Sequence, residues 1–249
     1  FFLFELGMLT RSLTRLGRPG IISKSATNQI FGPGLITQKR HLFHPQKNRF
    51  SSESLDCLYP FMSEKSFEKH FHQVYLEGFK KLNSLVQDTI YLDHDQLHKV
   101  VAMSSGHLGD IEIFNAAAHL RNHQIFFDTL TPWDYSNADE ALSRNTRKEF
   151  YTQFGGLEGM KDQFVQKAKN FKGSGWLWLI NRDSHLEIME TYNNATPEVL
   201  DERIIPIFNL DLWEHSYVDD YGNDVEAYVD AFWHVLNWEK VEERCVFAR

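Results

Sequence analysis

Partway along the chain the hydrophobic rhythm changes from helical to extended, and that change restricts the fold more than any other feature. Phe67, Phe71, Val74, Gly78 and Leu82 share one face of a segment running from about 61 to 86, with Glu64, Lys65, Lys80 and Lys81 on other faces. The pattern predicts a second, shorter helix over 93–103 capped by Asp93. A long helix comes next over 110–128, where Ala116, Ala117 and Ala118 would let another helix approach closely. Gly106-His107-Leu108-Gly109 separates these two, and Thr131-Pro132 ends the long one. Polar helical composition over 137–154, a Gly155-Gly156 break and a helix over 157–169 complete this half. Then 176–181, 185–192 and 203–210 read as strands, split by Arg182-Asp183-Ser184 and by Asn193-Asn194-Ala195-Thr196-Pro197. Helix returns over 225–241. Helices first, then a small antiparallel sheet flanked by helices, is the α+β class in two lobes.

Charge divides the chain differently. From Met8 to Phe50 there are eight basic residues (Arg11, Arg15, Arg18, Lys24, Lys39, Arg40, Lys47, Arg49) and no acidic one, and Ser, Thr and Leu are frequent. From Ser51 onward the formal charge is about −15. An acid-free, Arg-rich, Ser-containing leader is the composition of a mitochondrial targeting segment, with Arg49-Phe50 as a processing site. Phe1–Gly7 precedes the first Met and reads as a gene-model extension or fragment boundary. The expected organisation is a leader over 1–50, an N-terminal helical hairpin lobe over 51–133 and a C-terminal lobe over 134–249. With 249 residues and 2 Cys the chain is large enough for a full core, and it is neither a disulfide scaffold nor a Cys-rich zinc module. The acidic body argues against a dedicated polyanion-binding surface. No apolar run approaches the roughly 18 residues of a membrane span.

Several clusters could carry chemistry. Asp211 and His215 are four apart, where the third strand gives way to a helix, and His119 and His123 repeat that spacing on the Ala-rich helix. Such N and O donors suit a divalent first-row metal. For isolated His pairs, hydrogen-bonded side chains at an interface are the plainer explanation. His70 and His72 are two apart on a helix and point in different directions, which suits surface or partner contacts better than a joint metal site. Gly173-Ser174-Gly175-Trp176 lacks the strand–nucleophile–helix context of a hydrolase elbow. Glycine is too sparse for a phosphate loop. Trp176, Trp178, Trp213, Trp233 and Trp238 read as core rather than as a stacking platform for bases.

Four stretches together resemble one family. Phe114-Asn115-Ala116-Ala117-Ala118-His119-Leu120-Arg121-Asn122-His123 is similar to the FNNAAQxWNH helix of iron/manganese superoxide dismutases. Gly173–Ile180 resembles their GSGWxWLV strand entry, 211–217 (DLWEHSY) their DVWEHAYY signature, and Asn237-Trp238-Glu239 their C-terminal NWE. The resemblance runs in order from about Phe61 to Val241. It implies a helical hairpin and a three-stranded α+β lobe holding one metal between them through three His and one Asp. By position, His123 matches the second ligand, Asp211 the third and His215 the fourth. The first belongs to a pattern H-x-x-x-H-H-x-x-Y on the first helix. Anchoring that pattern on His72 and Tyr75 puts Phe67 at the first position, and sliding by one puts Ser66 there. On either register no imidazole is available.

Further departures accompany this one. Phe71 stands where the family has a second His, Val218 where it has the Tyr that pairs with it across the dimer interface, Phe127 in place of a Trp, and His119 in place of a Gln. On this reading His123, Asp211 and His215 are remnants of a metal site, no cofactor is expected, and the chain is a pseudoenzyme. The expected function is then that of the superoxide-dismutase-like proteins of fungal mitochondrial ribosomes. The chain would be a structural constituent of the small ribosomal subunit in the mitochondrial matrix, supporting mitochondrial translation. It would touch small-subunit proteins and rRNA and pair with a homologous subunit through Glu214 and His215. The rival expectations are an active mitochondrial manganese or iron superoxide dismutase with His119 or water as the missing donor, and a matrix metal-binding protein without dismutation.

Overall fold

Ser63 opens the first helix. Its backbone is extended and its hydroxyl accepts from the Ser66 amide. Behind this cap runs one continuous rod of three parts: α1 (Glu64–Phe67), a π-helical stretch (Glu68–Leu76) and α2 (Glu77–Leu85). In the middle part the hydrogen bonds reach five residues back, as from the Glu77 amide to the His72 carbonyl. The computed structural model describes residues 43–45, 58–94 and 96–248. The Arg49-Phe50 processing site and the leader apart from 43–45 lie outside these. Phe43, within the segment read as leader, is buried in the core, and its backbone exchanges two hydrogen bonds with the Asn83 side chain on α2.

A 3-10 turn (Ile90–Asp93) leads to α3 (Leu97–Ser104). The expected Asp93 cap is not one: the helix begins four residues later, behind Gln96, and Asp93 closes the 3-10 turn. A second 3-10 turn (Leu108–Asp110) opens α4 (Ile111–Asp128), which ends at Thr129, two residues before the Thr131-Pro132 stop. α4 is buried on most sides, so its apolar residues do not form a single stripe. The rod lies against α4 at Gly78, where an added Cβ would come within 2.8 Å of Leu120.

The polar stretch after α4 divides at Ser143 into α5 (Ala138–Ala141) and α6 (Arg144–Phe154), and Gly155 ends α6 in the left-handed conformation. Then come α7 (Leu157–Asn170), β1 (Gly175–Arg182), β2 (His185–Tyr192), α8 (Pro197–Leu200), β3 (Ile204–Asp211), α9 (Glu214–Tyr221), α10 (Val225–Val235) and α11 (Trp238–Phe247). The sheet is antiparallel in the order β2-β1-β3. Asp183 and Ser184, both at positive φ, make the two-residue β1–β2 turn, and Asn181 Oδ1 accepts from the Ser184 amide. β1 is buried from Gly175 to Asn181, as a central strand must be. The α+β expectation therefore holds, with three strands each within a residue or two of the predicted span. Among the described residues no helix is long and apolar enough to cross a membrane.

Two sets of contacts set the relation of the first rod and α4 to the sheet lobe. On one side the Ser63 amide donates to Asp220, Lys69 pairs with Asp219 at 2.9 Å, and the Tyr221 hydroxyl donates to the Pro60 and Phe61 carbonyls. These clamp the rod to α9. On the other, Asn209 Nδ2 donates to the Asn122 carbonyl, and Arg244 donates to both Asp128 and the Ile207 carbonyl. These tie α4 to β3 and α11.

Candidate metal centre

At the seam between the rod, α4 and β3, four side chains converge: His70, His123, Asp211 and His215. One donor atom from each lies within 4.8 Å of all the others. The Nε2 atoms of His70, His123 and His215 stand 3.2, 3.5 and 3.2 Å from Asp211 Oδ2. The side chains of His70, His123 and Asp211 are fully buried, and that of His215 is 18% exposed. His215 therefore marks the side on which the cluster meets solvent.

Each member is aimed by its own element. Asp211 ends β3 opposite Trp176 of β1. The Trp213 amide donates to its Oδ1 at 2.8 Å, which leaves Oδ2 facing the imidazoles. The buried Tyr228 hydroxyl donates to the Asp211 backbone carbonyl at 2.9 Å and fixes the strand end. His215 lies in the first turn of α9, so the pair meets across the strand-to-helix junction that the sequence places there. His123, in the middle of α4, has Nδ1 2.8 Å from the His119 carbonyl. Nδ1 must carry the proton there, so the Nε2 lone pair points into the cluster. The His123 ring rests edge-on against Trp176 at 4.9 Å and face-on near Tyr75 at 6.2 Å.

His70 corrects the sequence reading. Neither Phe67 nor Ser66 occupies the first ligand position: His70 does, and the set contains three imidazoles. The reason is the anchor: with His70 first, the pattern places Val74 and Tyr75 at its two later His positions and Gly78 at its Tyr, so His72 and Tyr75 matched it three residues out of register. His70 is not a surface or partner residue; it packs against Phe126, Phe127, His123 and His215. Phe67 is wholly buried beside it, stacked on Phe71 at 5.3 Å and edge-on to Phe127. One signal was available. Phe67, Phe71, Tyr75 and Phe79 recur every four residues, a period that drifts about 40° per step on an α-helix and is held on one face by a wider turn. All four are buried.

The electrostatics favour a cation here. Burial drives His70 down to about 4 and His123 well below the ordinary imidazole range. Burial alone would raise Asp211, but the neighbouring His215 and His70 outweigh it and hold the carboxyl well below its usual value. At neutral pH the cluster thus offers neutral nitrogens at His70 and His123 and an anionic oxygen. Both ring nitrogens of His70 and Nε2 of His123 have no hydrogen-bond partner among the described residues. Buried polar atoms left so are costly. Metal–donor distances of about 2.0–2.2 Å put neighbouring donors about 3–4 Å apart, which the spacings here match. The residues fit a first-row metal ion, and sulfur plays no part in the set.

The other departures from the family pattern also have defined places. His119 is outside the quartet: its Nε2 is 3.2 Å from the Val74 carbonyl, and its ring is 4.2 Å from that of His123. Phe71 and Phe127 are buried and form, with Phe67, an aromatic wall beside His70. Glu214 and Val218 are exposed on α9.

Comparisons with known proteins agree with this geometry. A family model described as iron/manganese superoxide dismutases, C-terminal domain, matches residues 142–244. Iron superoxide dismutases from Plasmodium falciparum, Plasmodium vivax and Plasmodium malariae are each 33% identical over 191 residues, covering 76% of this chain and 91% of theirs. With its helical lobe, three-stranded sheet and inter-lobe quartet, the chain belongs to the iron/manganese superoxide dismutase family.

Proposed function

We propose that this protein is a superoxide dismutase holding one redox-active manganese or iron ion between its lobes. The observation that carries the reading is His70, which completes a buried three-imidazole, one-carboxylate set with His123, Asp211 and His215. When bound, such an ion would relay one electron from a superoxide, which leaves as dioxygen, to a second superoxide, which takes up two protons and leaves as hydrogen peroxide. The chain's own residues do the rest. Asp211 neutralises part of the ion's charge while Trp213 holds its second oxygen, and the His119 carbonyl orients His123. Phe67, Phe71, Phe127 and Trp176 exclude water from three sides and leave the His215 edge as the approach for a small anion. The test is metal quantification and a superoxide assay on the purified full chain after loading with manganese or iron. One equivalent of metal and turnover are expected, both lost in His70→Ala. Absence of stoichiometric redox metal and of turnover in the wild type sinks the proposal.

A second reading keeps specific support. Phe127 and Val218 replace a Trp and a Tyr of the family, Val74 stands at the second His position once His70 is first, and residues 8–50 are basic and free of acid. These favour a structural constituent of the mitochondrial small ribosomal subunit in the matrix. It would pair with a homologous subunit through exposed Glu214 and neighbouring His215, among small-subunit proteins and rRNA. Cosedimentation decides it: a protein found only in free matrix fractions at low salt excludes the ribosomal role.

A further inference from the structure

Among the described residues His119 is a half-buried imidazole at the seam that lies outside the quartet, and its position is informative. A π-helical stretch is less favourable than an α-helix and persists where its surroundings impose it. Here the stretch Glu68–Leu76 carries His70, and its buried rings His70, Phe71 and Tyr75 pack on α4 through non-directional contacts. Lys69–Asp219 is a solvent-exposed pair. Inside the protein, His119 Nε2 lies 3.2 Å from the Val74 carbonyl, one turn beyond His70, near the point where the wide turns revert to α-helix. A carbonyl oxygen can only accept, so Nε2 carries the proton and donates. Next to this bond, Gly78 brings α2 so close to α4 that an added Cβ would lie 3.5 Å from the His119 ring as well as 2.8 Å from Leu120.

We infer that His119 is a positioning residue: by donating to the Val74 carbonyl it locks the π-helical stretch in the register that turns His70 into the seam. The inference rests on the quartet serving as a metal site, but the lock itself is a property of the metal-free chain. A glutamine in place of His119 can make the same donation through its amide, whereas leucine fills the space without a donor.

The experiment is amide hydrogen exchange on the metal-free full chain, wild type against His119→Leu and His119→Gln. Leucine is expected to speed exchange over 70–78 by about tenfold while β1–β3 keep their protection, and glutamine to restore it. Metal affinity should fall by about 10- to 100-fold with leucine and recover with glutamine. Exchange over 70–78 unchanged by leucine, or equally fast with glutamine, overturns the lock. If His119→Leu does not fold, the wild type decides by nitrogen NMR: a protected Nε2–H on His119 supports the assignment, and an Nδ1–H tautomer refutes it. A wild type that takes up no metal yet shows this exchange pattern disposes of the dismutase reading and leaves the lock standing.

Discussion

The two sides of the metal centre are built on different principles. On the sheet side, Asp211 and His215 lie within five residues of each other at a strand-to-helix junction. Pairing with Trp176, the Trp213 amide and the Tyr228 hydroxyl pin that junction. Its ligands are set by a short stretch whose backbone is held by β1 and α10. On the rod side, one residue, His70, is presented by a helix whose turn width is set by tertiary contacts. A compact junction encodes its ligands in their spacing. On the helix a degenerate pattern can be anchored on the wrong residues, and anchoring it on His72 and Tyr75 moves the ligand from His70 to Phe67.

If both sides contribute equally to the ion despite this difference, removing either is equally severe. His70→Ala and Asp211→Ala should each lower manganese or iron affinity by at least about 100-fold, since each removes a directly bonded donor. Equilibrium dialysis with metal analysis checks this. Retention of metal by His70→Ala alone would make the rod side dispensable and break the comparison.

The next test concerns Phe67, which residue counting singles out and the structure assigns to the aromatic wall. Phe67→His should add no metal. It should cost about 3 kcal/mol, because an imidazole replaces a buried ring packed on Phe71 and Phe127 and finds no designed partner. Chemical denaturation and metal stoichiometry give both numbers. A variant that binds metal more tightly at unchanged stability would return the first ligand position to residue 67.

A pH series separates His70 from its neighbours. Its folded-state value is lowered to about 4 by burial, against an ordinary 6.5. Between these values the unfolded chain takes up a proton that the folded chain refuses, so metal-free stability falls as pH drops from 6.5 towards 4 and this contribution levels off below. The full effect is up to about 3 kcal/mol. His70→Leu should remove its share of that slope, leaving the share of the likewise lowered His123, and above pH 6.5 leave the metal-free protein as stable or more so, since the orphaned ring nitrogens are gone. Unfolding midpoints at pH 7 and pH 4.5, compared between the two proteins, measure it; identical slopes would place the His70 ring in a wetter setting than the seam provides.

The same contrast explains what could be read from residues alone. The α+β order, the strand spans and Ile111–Asp128 arise from periodicities that tertiary packing did not alter. Asp211, His215 and His123 were legible because each sits in a regular element or a short junction. His70 was not, because Val74, Tyr75 and Gly78 match none of the pattern's later positions when His70 is first, whereas His72 and Tyr75 fit it three residues out of register. The Asp93 cap failed for a simpler reason. A short polar residue marks a break of some kind, and here the break is the end of a 3-10 turn.

The smallest expected effect sharpens the account of how the rod is held. Lys69, next to His70, pairs with Asp219 on the helix that carries His215, and both partners are substantially exposed. If this surface contact aligned the two sides of the centre, Lys69→Ala would weaken metal binding. Water and salt screen such pairs, and the interior contacts at Val74, Gly78 and the aromatic wall remain in the variant. Lys69→Ala should therefore leave metal affinity within about twofold of wild type, with a slight drop in thermal midpoint at low salt that vanishes at high salt. A loss as large as that of His70→Ala would move control of the His70 register from the buried face of the rod to its solvent-exposed edge.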